Sequence, residues 1–174
     1  MIYIDITQSQ IDKAIRIRKQ RDSQFSNLYQ ETKTDLRYCG DLGEIIFNSW
    51  VKHLKPVWHL DNAAGKPDFT INDTKIDIKT VKRQSKPKLS YSAQITAKHK
   101  NAPIDDLFFM SYEYKINRLW LLGGISKKEF LDKATYYKAG DKVHDHYTIR
   151  QGHEIYNAPI KILKSPMEYL KKFN

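Results

Sequence analysis

The spacing of apolar residues along this chain predicts short strands and amphipathic helices. Ile2, Ile4 and Ile6 occupy alternate positions, which is typical of a strand. A Thr-x-x-Gln capping box at Thr7 then predicts a basic helix, and a wide apolar face predicts a second helix over residues 41–54. Strands are also predicted over residues 57–60, 68–71, 74–81, 91–97, 107–112 and 119–125, and helices over residues 126–138 and 165–173.

This order of elements predicts an α/β fold in which helices flank a mixed central β-sheet. The 174 residues fit a single domain. We divide it into an N-terminal strand and basic helix at residues 1–37, a central core at residues 38–125 and a C-terminal extension at residues 126–174. Within the extension, residues 140–157 lack a regular pattern, apart from an expected strand over residues 147–150.

The charge of the chain indicates a polyanionic partner. Lysine and arginine number 30 against 20 acidic residues, which gives a formal net charge of +10 and an isoelectric point near 9.5. Such a balance favours nucleic acid as the partner. A basic surface that serves only solubility would have the same composition.

Cysteine content and hydropathy indicate the cellular compartment in which the protein is expected. Cys39 is the only cysteine, so an internal disulfide is excluded, and a reducing, cytoplasmic compartment fits this composition. No segment approaches the roughly 18 apolar residues that a membrane-spanning helix needs. We therefore expect a cytoplasmic protein with no membrane partner.

The segment around Asn72-Asp73 carries the most informative motif. Two alternating runs flank this dipeptide, which predicts a hairpin with a two-residue turn. Such a turn places Asp68 opposite Asp77 with Cβ atoms about 5 Å apart, and opposed like charges destabilise a hairpin. Lys79 shares the face of Asp77, because strand side chains repeat every two residues. The opposite face is expected to pack on the core through Ile76, Ile78 and Thr80.

Three arrangements reconcile two carboxylates at this distance. One carboxyl group takes up a proton, or a lysine neutralises the pair, or a divalent cation lies between them. Carboxylate oxygens are ligands that Mg²⁺ prefers, so the third arrangement predicts a metal site. An exposed hairpin with a local aspartate–lysine pair is the simpler structural explanation.

Glu44 is a further candidate, because it lies near the start of the predicted helix over residues 41–54, at the margin of its apolar face. A carboxylate in this position points along the edge of the core toward the sheet. The structural alternative is an Asp-x-x-Glu capping box formed by Asp41 and Glu44, in which Glu44 bonds only to backbone.

Together these residues resemble the PD-(D/E)XK nuclease superfamily. The chain contains Pro67-Asp68, then eight intervening residues, then Asp77-Ile78-Lys79, and a helix with Gly43-Glu44 precedes them. The resemblance covers roughly residues 38–97, about a third of the chain. It implies a restriction-endonuclease-like core, in which a mixed sheet is flanked by helices and the acidic hairpin lies at one end.

The resemblance also implies a role for each residue of the motif. Asp68 and Asp77 match the metal-binding acids, and Lys79 matches the catalytic lysine. Glu44 resembles an additional metal ligand, and the backbone carbonyl of Ile78 completes the coordination in such enzymes. The implied cofactor is Mg²⁺, with Mn²⁺ as a substitute, and the implied activity is that of a DNA endonuclease that hydrolyses phosphodiester bonds.

Basic residues directly after the hairpin are candidates for holding the nucleic acid. Phosphate contacts from a loop over residues 82–88 would position DNA and make its binding sensitive to salt. The residues concerned are Lys82, Arg83, Lys86 and Lys88. A flexible basic loop is the structural alternative. Symmetric cleavage of both DNA strands would favour a homodimer.

Other functions stay open at the level of the sequence. The chain fits a nucleic-acid-binding protein without catalysis, in which Asp68, Asp77 and Lys79 are a surface charge cluster, or a protein whose basic surface meets an acidic protein. Among nucleases, restriction-type, junction-resolving, single-strand-trimming and RNA-directed enzymes all fit. Gln94 does not complete the Gln-x-x-x-Tyr variant of the motif, because residue 98 is Lys98.

Overall fold

A computed structural model describes residues 1–24, 37–61, 65–145 and 147–174, and its elements are helices around β-sheets. The helices are α1 (Gln8–Gln24), α2 (Tyr38–Trp50), α3 (Lys127–Lys133) and α4 (Pro166–Leu170). The strands are β1 (Ile2–Asp5), β2 (Val57–Trp58), β3 (Phe69–Ile71), β4 (Thr74–Arg83), β5 (Ser92–Thr96), β6 (Asp106–Glu113), β7 (Arg118–Ser126), β8 (Thr135–Tyr137), β9 (Lys142–His144), β10 (Tyr147–Thr148) and β11 (Ile155–Pro159).

The central sheet has six strands in the order β1-β7-β6-β4-β3-β2. Strands β4 and β6 pair in parallel, and the other neighbours pair antiparallel, so the predicted mixed α/β sheet is confirmed. A parallel pair requires a crossover connection, and here the chain between β4 and β6 contains β5. Strand β5 belongs to a second sheet of order β5-β11-β8.

Each face of the central sheet packs against its own apolar cluster. On one face, α1, α2 and the C-terminal segment cover a cluster that includes Leu42, Phe47, Phe69 and Ile76. On the other face, the second sheet and α3 cover a cluster that includes Ile95, Phe109 and Phe130. Strand β4 packs on the first cluster through Ile76 and Ile78, as expected, and on its other face Asp77 is buried as well.

Several predicted boundaries need correction. Helix α2 begins at Tyr38 rather than at residue 41 and ends at Trp50, followed by a 3₁₀ turn over Lys52–Leu54. Helix α3 ends at Lys133 instead of residue 138, because residues 135–137 form β8 and pair with β11. Strand β4 continues through Arg83, two residues beyond the predicted end.

The segments before and after the central core, residues 1–37 and 126–174, contribute strands to both sheets. Strand β1 forms one edge of the central sheet beside β7, and β11 lies between β5 and β8. The expected irregular region over residues 140–157 contains β9, β10 and the start of β11. The part of the chain that the structure describes contains no helix that is long and apolar enough to span a membrane.

Candidate functional site

The predicted hairpin forms with the expected two-residue turn. Asn72 and Asp73 have φ angles of 45° and 63°, and the paired register runs from Ile71 opposite Thr74 to Phe69 opposite Ile76. Both central residues of such a turn require positive φ, which asparagine and aspartate tolerate better than most residues.

Asp68 bonds to strand β4 at the open end of this hairpin. Its N–H donates to the carbonyl of Ile76 at 2.9 Å, and its Oδ2 accepts from the N–H of Ile78 at 2.7 Å. The regular ladder ends at Phe69, so the predicted direct opposition of Asp68 and Asp77 is replaced by this side-chain bond to the neighbouring backbone. Asp68 thus closes the ladder with its carboxylate.

Asp77 forms an ion pair with Lys79 on the face of β4 that the second sheet covers. The distance from Asp77 Oδ2 to Lys79 Nζ is 2.7 Å, and the Asp77 side chain is 6% exposed against 21% for Lys79. Lysine and aspartate two residues apart on one strand therefore meet as expected. Of these two side chains, that of Lys79 is the more accessible to solvent.

His99 is a third member of this cluster, and the sequence did not single it out. It lies in the 3₁₀ turn Ala97–His99 after β5, with Nδ1 3.7 Å from Asp77 Oδ2. Burial and the ammonium of Lys79 lower the pKa of His99 to about 4, and the charge of Asp77 opposes this shift. The imidazole is therefore neutral at physiological pH. Its neighbours Lys98 and Lys100 give this segment the sequence of a basic surface turn, and nothing local distinguishes a histidine that turns inward.

Glu44 is held by side chains of two other elements. Its Oε1 accepts from Arg21 Nη1 at 2.6 Å, and its Oε2 accepts from Arg21 Nη2 at 2.7 Å and from Trp58 Nε1 at 2.9 Å. The capping-box interpretation of Glu44 is wrong, because the residue before α2 is Arg37 and no side chain caps this helix. The planar guanidinium forms the two parallel bonds that characterise arginine–carboxylate pairs.

Asp41 lies beside Glu44 and extends the same network. It is inside α2 and fully buried, rather than at the cap position. Its Oδ1 accepts from Arg21 Nη1 at 2.8 Å, and its Oδ2 accepts from Arg18 Nε at 2.7 Å. Helix α1 thus supplies two arginines that neutralise the two acids of α2.

The charge of Asp68 connects this network with the hairpin. Burial raises the pKa of Asp68 well above its usual range, and the charges of Glu44 and Asp77 raise it further. Lys79 and the hydrogen bond from Ile78 oppose the shift. Among the described residues, the carboxylates of Asp41, Glu44 and Asp77 form ion pairs with Arg18, Arg21 and Lys79, whereas Asp68 forms none.

The donor set suits a hard divalent cation in its chemistry. Carboxylate oxygens at Asp68 and Asp77 are ligands that Mg²⁺ or Mn²⁺ accepts. Among the residues that the structure describes, no group of three or more histidine, cysteine, aspartate or glutamate side chains is arranged to hold a metal ion. A cation at these two aspartates would therefore need backbone carbonyl or water oxygens as well, and the Ile78 carbonyl was expected to be one of them.

Two of the basic residues that were predicted to lie in a loop after the hairpin belong to a strand and contact aromatic side chains. Lys82 and Arg83 belong to β4, with Lys82 Nζ 4.1 Å from the ring centre of Tyr114. Arg83 lies 5.0 Å from the ring of Tyr91 and donates from Nη2 to the carbonyl of Ser92 at 2.9 Å. The predicted loop over residues 82–88 thus begins only after Arg83.

Two of the four basic candidates are exposed. Lys86 is exposed, with its Nζ 5.1 Å from the ring centre of Trp120. Lys88, two residues further along the chain, is exposed as well. Gln94 pairs across the second sheet with Asn157.

Comparisons with protein-family models, with curated proteins and with solved structures find no match for this chain. The relation to the PD-(D/E)XK superfamily therefore stays a prediction that rests on the residues of the hairpin and of α2.

Proposed function

We propose that this protein is a divalent-metal-dependent endonuclease that hydrolyses DNA phosphodiester bonds, with a restriction-endonuclease-like core of the PD-(D/E)XK type. The observation that carries the proposal is the cluster at the open end of the hairpin, where Asp77 pairs with Lys79 and Asp68 accepts from the Ile78 N–H without an ion pair to a described side chain. Neighbouring carboxylates repel each other, and a bound cation would relieve that repulsion.

The order of elements supports the same proposal. Helix α2 with Glu44 comes first, then β2, then the Pro-Asp hairpin with Asp-x-Lys, and then the parallel strand β6. This is the order of acidic helix, strand, hairpin and further strands on which the resemblance rests.

The side chains of the chain have separable roles in such a reaction. Asp68 and Asp77 would hold the ion, and Lys79 would orient the attacking water and stabilise charge on the phosphoryl oxygens. Mg²⁺, when bound, supplies Lewis-acid activation of water and phosphate. Arg21 and Trp58 keep Glu44 in one orientation beside these residues.

The surface charge supports a nucleic-acid substrate. The net charge of +10 favours binding to phosphates, and the exposed Lys86 and Lys88 follow the catalytic strand directly. We place the enzyme in the cytoplasm, because its single cysteine, Cys39, is a buried free thiol.

Cleavage of supercoiled plasmid in the presence of Mg²⁺, Mn²⁺ or EDTA tests the proposal. We expect metal-dependent nicking or linearisation by the wild type and at least about a hundredfold loss in Asp77→Asn. The matched control is Asp73→Asn in the exposed turn of the same hairpin, which should cleave normally. Equal activity in both variants would remove the hairpin from the reaction, and full activity in EDTA would contradict the dependence on a metal.

A second candidate is a nucleic-acid-binding protein on the same fold without catalysis. The observation that favours it is that Lys79 neutralises Asp77 directly, while the described residues form no cluster of three metal-binding side chains. Binding of DNA without cleavage of plasmid, branched DNA junctions or RNA would support this candidate. Cleavage confined to junctions or RNA would instead identify a structure-specific or RNA-directed nuclease.

A further inference from the structure

Two aromatic rings at one edge of the central sheet lie between two cationic side chains. Tyr3 of the edge strand β1 pairs with Trp120 of β7, and the centres of their rings are 5.2 Å apart. The guanidinium carbon of Arg118 lies 4.0 Å from the ring centre of Tyr3. The Nζ of Lys86 lies 5.1 Å from the ring centre of Trp120. We call these four residues the Tyr3 surface.

Tyr3 is the ring of this surface that solvent reaches. It is 49% exposed, whereas Trp120 is 6% exposed and donates from Nε1 to the carboxylate of Glu113 at 2.9 Å. Trp120 therefore belongs to the core and holds the tyrosine in place from the side of the protein. A flat apolar partner that stacks on an exposed ring removes it from water, which is favourable.

Arg118 adds a flat cation to the exposed ring. Its Nε donates to Asp5 Oδ1 at 2.8 Å. This bond lies in the guanidinium plane and leaves the faces of the group for stacking, which arginine does readily on aromatic rings. The Asp5 side chain is 67% exposed, so solvent screens the ion pair, and Arg118 still presents positive charge to an anion.

The basic segment after β4 reaches the same surface. Residues 84–88 follow the end of β4, yet the ammonium of Lys86 lies at Trp120 of β7, two strands away in the central sheet. Lys86 and Lys88 are exposed. Positive charge therefore flanks the two rings from both sides, which suits a ligand that carries phosphates as well as flat rings.

The Tyr3 surface is on the same face of the central sheet as Lys79. Tyr3 is in register with Trp120, and Trp120 is in register with Ser111. Ser111 is in register with Val81, which comes two residues after Lys79 on β4. Residues in register share a face, as do residues two apart on one strand. Three strand spacings and two residues separate Tyr3 from Lys79 along the sheet, or about 16 Å.

We infer that the Tyr3 surface binds unpaired nucleotides of a single-stranded DNA segment. Bases of any sequence stack on exposed aromatic rings, and neighbouring cations contact the backbone phosphates. The net charge of +10 favours such a ligand. In a duplex the bases are stacked on one another, so the exposed ring selects unpaired strands. The choice of DNA over RNA rests on the proposed function, whereas the stacking does not require that the hairpin cleaves.

Fluorescence anisotropy with a labelled oligo(dT) strand in EDTA tests the inference without cleavage. The full chain should bind this strand more tightly than a duplex of the same length. Tyr3→Ala should weaken the binding about tenfold, and Tyr3→Phe should bind as the wild type does. The tyrosine ring is uncharged, so Tyr3→Ala should leave the slope of the logarithm of affinity against the logarithm of salt concentration unchanged.

The matched control is Tyr136→Ala. Tyr136 is 48% exposed and contacts Tyr156 in the second sheet, with ring centres 5.1 Å apart, so its loss should leave the binding unchanged. Equal affinities of Tyr3→Ala and Tyr136→Ala, with unchanged circular dichroism, would overturn the inference. Tighter binding of the duplex or of an oligo(rU) strand than of oligo(dT) would overturn it too.

Arg118→Lys decides the matter if Tyr3→Ala does not fold. It keeps the charge and loses the planar group, so it should weaken binding of the single strand about threefold. Wild-type affinity in this variant would overturn the inference. A dimer in analytical ultracentrifugation that Arg118→Lys or Tyr3→Ala dissociates would show that a second copy covers the surface, with the same consequence.

Failure of this inference is distinguishable from failure of the proposed function. Metal-dependent cleavage of plasmid by a wild type that does not prefer the single strand would overturn the inference and leave the nuclease intact. Binding of oligo(dT) that depends on Tyr3, without cleavage of any substrate, would support the inference and contradict the nuclease.

Discussion

The Asp41–Glu44 pair of helix α2 is buried, whereas in the Asp68–Asp77 pair of the hairpin Asp77 is buried and Asp68 is partly exposed. The two pairs also differ in how far they are neutralised. Two arginines of α1 bond the first pair through several short hydrogen bonds. One lysine bonds Asp77 of the second pair. Burial raises the pKa of both Asp41 and Asp68, but Arg18 opposes the shift most at Asp41, whereas the charges of Glu44 and Asp77 add to it at Asp68.

This difference separates stabilisation from function. An enclosed carboxylate whose bonds are all made by protein donors holds elements together, here α1, α2 and β2. A carboxylate that is short of donors costs stability unless a proton or a cation arrives. The hairpin is therefore the place where a ligand would act, and the α1–α2 network is the frame beside it.

The largest expected effect comes from breaking the network in which Arg18 and Arg21 bond Asp41 and Glu44. Arg21→Ala leaves Glu44 and Asp41 enclosed with less compensation, so we expect a loss of about 3–5 kcal/mol in the free energy of unfolding. Chemical denaturation measures it. Lys19→Ala on the exposed face of α1 is the matched control and should change stability by less than about 0.5 kcal/mol. Similar losses in both variants would show that the network contributes little.

The next largest effect is a pH dependence of stability that arises at His99, beside Asp77 and Lys79. Burial and Lys79 depress the pKa of His99 to about 4, below its ordinary value of 6.5. Between these values the unfolded chain binds a proton that the folded chain does not, so stability is lost as pH falls through this window. The loss amounts to about 3 kcal/mol at most.

Denaturation curves at pH 7 and pH 4.5 measure this effect. His99→Gln should lose less stability on acidification than the wild type, because the substituted side chain does not titrate. His53→Gln, at an exposed position, should behave as the wild type does. Equal acid sensitivity in all three proteins would contradict a neutral, enclosed His99.

Local features of the hairpin and of the core helix were predictable from sequence. The turn at Asn72-Asp73 and the alternation of β4 are fixed by neighbouring residues, so their register was found correctly. The apolar face of α2 was found for the same reason. The sequence left a cap open for Asp41, because aspartate suits both a helix start and an enclosed ion pair, and only the arginines of α1 decide between them.

The features that were missed depend on contacts between distant segments. Arg21 and Glu44 are 23 residues apart, and no local pattern marks them as partners. His99 lies in the turn directly after β5, and the partner strand of β5 is β11, which comes from a segment that the sequence analysis left partly irregular. The end of α3 was overestimated because pairing of β8 with β11 overrides local helical preference.

A smaller effect with the opposite pH dependence is expected at Asp68. Its folded pKa lies above the unfolded value, so the folded chain keeps a proton longer and stability falls as pH rises through that window. Asp68→Asn removes the repulsion and can still accept from Ile78, so we expect the metal-free protein to gain about 1 kcal/mol. Thermal unfolding at pH 7 measures the gain.

Metal addition sharpens the same comparison. At 100 times its dissociation constant, a cation that binds only the folded state stabilises by about 2.7 kcal/mol. Mn²⁺ should therefore stabilise the wild type and leave Asp68→Asn nearly unchanged. A variant that is less stable than the wild type without metal would show that Asp68 is a structural acid like those of α2.

The smallest expected effect distinguishes two of the basic residues that the sequence predicts to hold nucleic acid. Lys86 is exposed, so Lys86→Ala should lower the slope of the logarithm of DNA affinity against the logarithm of salt concentration by about one, with little change in stability. Arg83 bonds the carbonyl of Ser92 and stacks on Tyr91, so Arg83→Ala should reduce stability instead. Lys142→Ala in β9 is the exposed control and should leave the slope unchanged. Fluorescence anisotropy at several salt concentrations measures the slope, and an unchanged slope in Lys86→Ala would remove residues 84–88 from the DNA interface.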